Sequence, residues 1–242
     1  MDDRFLDTIA RESAALAGAA ERLDPDAPVL ACPGWNVAAL VTHITHVQLW
    51  AATIVRTAAT EKPPFGTEPA PEPAALVPWF RAATAALLHE LRAADPQAPV
   101  WSWFPDSTMS FWARRQAHEV TIHRWDAEDT AGGAAPLEPA FAADGVDEVL
   151  ALAVARYRER FRGAGQKVAL MAADAGRTWV LTLGATGLEV GPGGIAAAAG
   201  ADARARGTAS DIDLFLWGRV PGSVFEIDGD VDALLALQRA IS

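Results

Sequence analysis

The chain has little of what would tie it to nucleic acid, to an oxidising compartment or to a secretory route. Its 20 Lys and Arg stand against 31 Asp and Glu, a net charge of −11, and no basic run is present that could neutralise a phosphate backbone. Nucleic acid is therefore not an expected partner. A single cysteine, Cys32, excludes an intramolecular disulfide. The start Met1-Asp2-Asp3 is acidic where a signal peptide is basic, and a cytoplasmic protein is expected. No internal repeat or heptad array is present. No histidine follows residue 123, so histidine chemistry belongs to the first half, on His43, His46, His89, His118 or His123.

Charge is also missing from residues 27 to 55, which contain no Asp, Glu, Lys or Arg and are long enough to span a bilayer. Pro33, Gly34, Asn36, Thr42, His43, Thr45, His46 and Gln48 put too many polar groups in that stretch for hydrocarbon, and no membrane is expected. A buried bundle helix with polar side chains turned to an internal site fits better.

The chain has 242 residues, 51% of them hydrophobic, enough to bury one large core or two modest ones. Helices come first. Phe5, Ile9, Leu16 and Leu23 recur at helical spacing, and Asn36 is a plausible N-cap before Val37, Leu40, Val41, Ile44 and Val47. Prolines break the pattern between Arg56 and Pro73, and Leu76 to Leu91 restores it. After the irregular Trp101-Ser102-Trp103-Phe104-Pro105, a fourth helix is expected from about Ser107 to Glu128, ended by Gly132-Gly133. A further helix is expected from about Pro139 to Phe161, with Val146, Val149, Leu150, Val154 and Tyr157 on its apolar side.

Past Gly163 the period becomes two. Trp179, Leu181 and Leu183 alternate with Thr178, Val180 and Thr182, and 188–190 and 224–227 are further strand candidates. Ser210-Asp211-Ile212-Asp213 resembles a capping box for a short helix through Trp217, Asp230 opens a terminal helix, and the Ala- and Gly-rich stretch 193–203 is of low complexity. The expected fold class is α+β: a helical domain over 1–162 and a small α/β domain over 163–242.

The fourth helix carries Arg114-Arg115-Gln116-Ala117-His118-Glu119-Val120-Thr121-Ile122-His123-Arg124-Trp125-Asp126. Glu119 and His123, four residues apart, lie roughly 40° apart around a helix and can converge on one ion. His118 lies roughly 140° from His123 and should point elsewhere. The spacing is therefore not that of the His-Glu-x-x-His zincin helix. On the second helix His43 lies along the edge of the apolar stripe, and His46, roughly 60° further round, is a second inward candidate. One of these with Glu119 and His123 would make a His₂Glu set. Three protein ligands leave the fourth tetrahedral position open, as in catalytic zinc sites. From the residues alone, blander roles stay open: a surface Glu–His pair, a core histidine, nine packing tryptophans, solvated Arg114 and Arg115, a small buried Cys32.

Two of these segments, 32–43 (Cys32-Pro33-Gly34-Trp35-Asn36 through His43) and 115–127 (Arg115 through Ala127), resemble the mycothiol-dependent maleylpyruvate isomerase family of actinobacteria. Gly207-Thr208-Ala209-Ser210-Asp211, Leu214-Phe215-Leu216-Trp217-Gly218-Arg219 and Ile227-Asp228-Gly229-Asp230 are similar to that family's C-terminal domain. The resemblance implies a DinB-like four-helix bundle with metal ligands at His43, Glu119 and His123, which are also the implied catalytic residues. It implies a divalent ion, zinc, that binds the low-molecular-weight thiol mycothiol and presents it as thiolate to an electrophilic small molecule, in an isomerase or an S-transferase. Arg115 and Trp125 are candidates to bind the thiol cofactor. Arg114, Arg115, Arg124 and Arg219 are the donors available to an anionic substrate, and Trp50, Trp112 and Trp125 could shape an apolar pocket. A zinc hydrolase acting through activated water, or a non-catalytic metal- or thiol-binding protein, remain alternatives.

Overall fold

A computed structural model describes residues 1–156, 160–161, 163–191 and 193–241. The chain divides into two compact units, Met1–Ala135 and Pro136–Ser242.

The first unit is a four-helix bundle of α1 (Asp3–Ala20), α2 (Val37–Thr57), α3 (Leu76–Ala93) and α4 (Met109–Thr130). Helix α1 packs on α4 and α3, and α2 on α3 and α4. Asn36 caps α2 as its sequence position predicts, accepting from the Ala39 amide at 2.8 Å. Leu16, Leu40, Ile44, Phe80 and Val120 form one apolar cluster among all four helices. A polar relay crosses the bundle: Gln48 of α2 donates to Ser13 of α1 at 3.2 Å and accepts from Thr84 of α3 at 2.7 Å. Helix α2 is long and apolar enough to cross a membrane, but 61% of its most apolar window is buried in this bundle.

The second unit begins earlier than the change to a two-residue period near 163 suggests. Helix α5 (Pro139–Arg156) packs on α7 (Ala209–Leu216) and β3 (Gly187–Gly191), so it belongs to this unit despite its helical texture. A Cβ on Gly145 of α5 would lie 2.9 Å from Asp213 Cγ of α7, so glycine permits the close approach. Tyr157, expected on the apolar side of α5, lies outside the described residues.

The unit's sheet has the order β3-β2-β1-β4-β5, with β1 spanning Gln166–Ala172, β2 Arg177–Gly184, β4 Ala203–Gly207 and β5 Glu226–Gly229. It is mixed: β1 pairs antiparallel with β2 and parallel with β4, while β2–β3 and β4–β5 are antiparallel. Two expectations shift. Val224 closes a 3₁₀ turn, Gly222–Val224, and the strand starts at Glu226. The capping box of α7 is Thr208 with Asp211, two residues before the Ser210 of the sequence expectation, because Thr208 has the extended backbone an N-cap requires. Within the low-complexity stretch lies α6 (Ile195–Ala198), and α8 (Val231–Ile241) closes the chain, its Ala233 amide donating to Asp230.

Candidate metal centre

Helix α4 places Glu119 and His123 one turn apart, and α2 brings His43 to them across the bundle. His43 Nε2 and His123 Nε2 each lie 3.4 Å from Glu119 Oε1, and the two imidazole centroids are 5.0 Å apart. The three donor atoms fall within 4.8 Å of one another. A separation of 3.4 Å is long for a charge-assisted hydrogen bond, and it is about the edge of a tetrahedron with bonds of about 2.1 Å. Two imidazole nitrogens and one carboxylate oxygen form a donor set suited to zinc, and these residues fit that ion.

Neighbouring groups hold each donor in place. His123 Nδ1 donates to Asp126 Oδ2 at 2.9 Å, and the Cys32 thiol donates to the same oxygen at 3.4 Å. Asp126 is fully buried, so its carboxylate fixes the tautomer of His123 and leaves Nε2 turned to Glu119. Cys32, His123 and Asp126 also meet the spacing of a metal group, but their facing atoms already bond to one another, and this set serves to orient His123. On the other side, Arg115 makes a short ion pair with Glu119 Oε2, leaving Oε1 for the two histidines. Trp35 forms an apolar wall: its ring lies 4.8 Å from His43 and stacks on His123 at 6.1 Å.

These contacts set the charges. Burial opposes ionisation of Glu119, but the Arg115 guanidinium and bonds from His123 and His43 outweigh it and hold the carboxyl well below its usual range. Burial also opposes charge on His123, yet bonds to Asp126, Cys32 and Glu119 hold its ring well above the ordinary imidazole range. Without metal the site therefore keeps a carboxylate and an imidazolium side by side.

The other sequence candidates divide. His118 is buried and meets Phe5 edge-on at 6.2 Å, away from the donors as its spacing predicts. His46 does not join the donor set: its Nε2 bonds the Glu68 carbonyl at 2.8 Å, and its ring meets Trp79. Arg124 is occupied by Glu12 and Glu128, both at 2.7 Å. Arg115 is engaged with Glu119, so it positions a donor. Trp125 is buried, and among the described residues no ring contact joins it to His43 or His123. Trp50 and Trp112 pack together with Trp101 and Trp103. The residues sequence reasoning left without a role here are Trp35, Asp126 and Cys32. All three stand inside the quoted motifs, but their convergence is tertiary.

Comparison with known families finds two matches that together span both units. The mycothiol maleylpyruvate isomerase N-terminal domain matches residues 6–128, and the C-terminal domain of the same family matches residues 140–236. Among solved structures, the mycothiol-dependent maleylpyruvate isomerase and a histidine-to-alanine mutant of it are similar, at 15% and 14% identity. Each has a TM-score of 0.66 and covers 95% of this chain and 94% of that chain, a likeness of fold. No curated protein matches the sequence.

Proposed function

The chain belongs to the mycothiol maleylpyruvate isomerase family, and on that premise we propose that it is a mycothiol-dependent enzyme acting on an electrophilic small molecule. The observation that carries this is the meeting of His43, Glu119 and His123 within 4.8 Å in a chain whose two halves both match that family. His43, Glu119 and His123 would hold a divalent ion, zinc, and bound there it would supply positive charge favouring the nucleophilic thiolate of a group whose ordinary pKa is about 8.5.

The protein's own residues do the rest. Asp126 keeps a proton on His123 Nδ1 so that Nε2 is the donor, and Arg115 keeps Glu119 ionised and oriented. Trp35 shields both imidazoles from water on one side, which strengthens each electrostatic contact. The reaction class is addition of the thiol to an electrophilic carbon. Expulsion of the thiol after bond rotation makes a cis–trans isomerase, as for maleylpyruvate, and retention makes an S-transferase.

Calorimetric titration of the zinc-loaded protein with mycothiol tests this. Saturable binding in the wild type and its loss together with the metal in His43→Ala are expected. A protein that binds no mycothiol, or a His43→Ala variant that binds it as the wild type does, would overturn the proposal.

A further inference from the structure

The bundle contains a cavity of about 250 Å³ lined by His46, Trp50, Thr53, Pro63, Pro64 and Glu68 among others. It follows directly from His43. His43, His46, Trp50 and Thr53 stand at i, i+3, i+7 and i+10 on α2, one stripe of the helix, so the cavity begins one turn beyond that donor. The opposite wall is the proline-rich segment after α2. It is tied to the helix at two points: Trp50 Nε1 donates to the Pro63 carbonyl at 3.0 Å, and His46 Nε2 bonds the Glu68 carbonyl at 2.8 Å. Between these ties Phe65, 47% exposed, sets its ring 6.5 Å from His43, 6.2 Å from His46 and 5.7 Å from Trp50. Phe65 thus stands where the stripe passes from the donor site to the cavity.

The lining's chemistry selects. It offers an indole, two prolines and a leucine, Leu49, as flat or apolar surface, with no Lys or Arg among the described residues. Its one carboxylate is Glu68, which opposes an anion. A carbonyl only accepts, so His46 Nε2 carries the proton of its bond to Glu68, and in the neutral ring Nδ1 is an acceptor. That nitrogen faces Gly66, whose added Cβ would lie 3.8 Å from it; Gly66 has φ +65°, a backbone that glycine adopts without strain.

We propose that this cavity is the subsite for the electrophile and that it takes an uncharged, planar compound in preference to a dicarboxylate, with Phe65 setting the passage to the sulfur. The assignment as electrophile subsite rests on the thiol-transfer reading above; the binding preference does not.

The test uses coumarin as a neutral planar probe and maleate as a dianionic one, titrated by ligand-observed NMR into the full chain with and without zinc. Coumarin is expected to bind in both forms, to weaken at least about tenfold, equivalent to 1.4 kcal/mol, in Thr53→Trp and in Leu49→Phe, and to resist displacement by maleate. Unchanged secondary structure in either variant makes that variant's result valid. Coumarin that binds neither form, that binds both filled variants as tightly as the wild type, or that is displaced by maleate would overturn the proposal. Mycothiol binding, measured separately, decides the thiol reading: coumarin bound with no mycothiol bound leaves the cavity preference standing and removes its catalytic assignment.

Discussion

Both units bury charge, and they differ in the ion pairs described around it. In the helical unit, ionic groups are sunk into the bundle: Arg124 and Glu12 bond at 2.7 Å with side chains 8% and 11% exposed, and Asp126 is fully buried. In the second unit Glu148 and Asp213 are buried as well, and two described ion pairs lie nearer the surface: Arg177 with Asp147 at 48% and 38% exposure, Arg204 with Asp228 at 32% and 75%. Taking charge out of water is costly, so a fold that does so repeatedly around one helix needs compensating partners at each position. The helical unit provides them along α4 from Arg115 to Glu128, and this is where the donor set stands.

The sharpest way to break this contrast is to remove one partner from a buried pair. Arg124→Met removes the buried guanidinium from Glu12 and Glu128, leaving Glu12 only the exposed Arg11, and is expected to cost about 1.5–3 kcal/mol in chemical denaturation. A loss below about 1 kcal/mol would place Arg124 with the surface pairs. Next, Asp126→Ala frees the His123 ring and is expected to weaken zinc binding about 10–100-fold in competition with a chelator, with the helical signal retained. Unchanged affinity would show that Asp126 does not orient the donor.

The pH dependence follows from the raised pKa of His123. In the metal-free protein its imidazolium stabilises the fold fully below the ordinary imidazole range, and that contribution fades as pH climbs through the raised value. Glu119, with its pKa lowered, contributes above the ordinary carboxylate range and loses that contribution as pH falls through the depressed value. Zinc must displace the proton on His123, so its apparent affinity should rise with pH. Calorimetry in buffers of different ionisation enthalpy should also record proton release. Affinity flat across that range would contradict a protonated metal-free site. Smallest of all, Arg204→Ala in the second unit should change stability by about 0–1 kcal/mol and zinc affinity not at all, read by the same two assays.

Much of the donor site was legible because two of its three members obey a local rule. Helical spacing alone puts Glu119 and His123 on one face and leaves a surface Glu–His pair open, while the family resemblance implies both as ligands and selects His43 over His46. Asp126, Cys32 and Trp35 were on the page as letters, but no periodicity indicates that an oxygen three residues past His123 will meet a thiol from residue 32. Strand β2 was legible from its alternation. Strand β1 was not: Val168, Ala169 and Leu170 are consecutive, apolar and all buried, so no polar residue marks an outer face, whereas Thr178 and Thr182 interrupt the apolar residues of β2. In β4 the alternation is there, Ala203 and Ala205 buried against Arg204 and Arg206, but alanine is too small and too helix-prone to announce it. Texture alone groups α5 with the helical domain over 1–162, because it reports an element's type and not its packing partner.

Arg115, Glu119, His123 and Asp126 share one helix, and their register sets the molecule's tolerance of insertions and deletions. The chain from 58 to 72 contains no helix or strand, and there a gained or lost residue alters a path held by a few ties, among them those from Trp50 to Pro63 and from His46 to Glu68. A single residue removed between Glu119 and His123 turns the imidazole by about 100° around α4 and carries Asp126 with it, so the ring keeps its partner and loses its target. Length variation among relatives of this chain should therefore accumulate in the first segment and stop at the second.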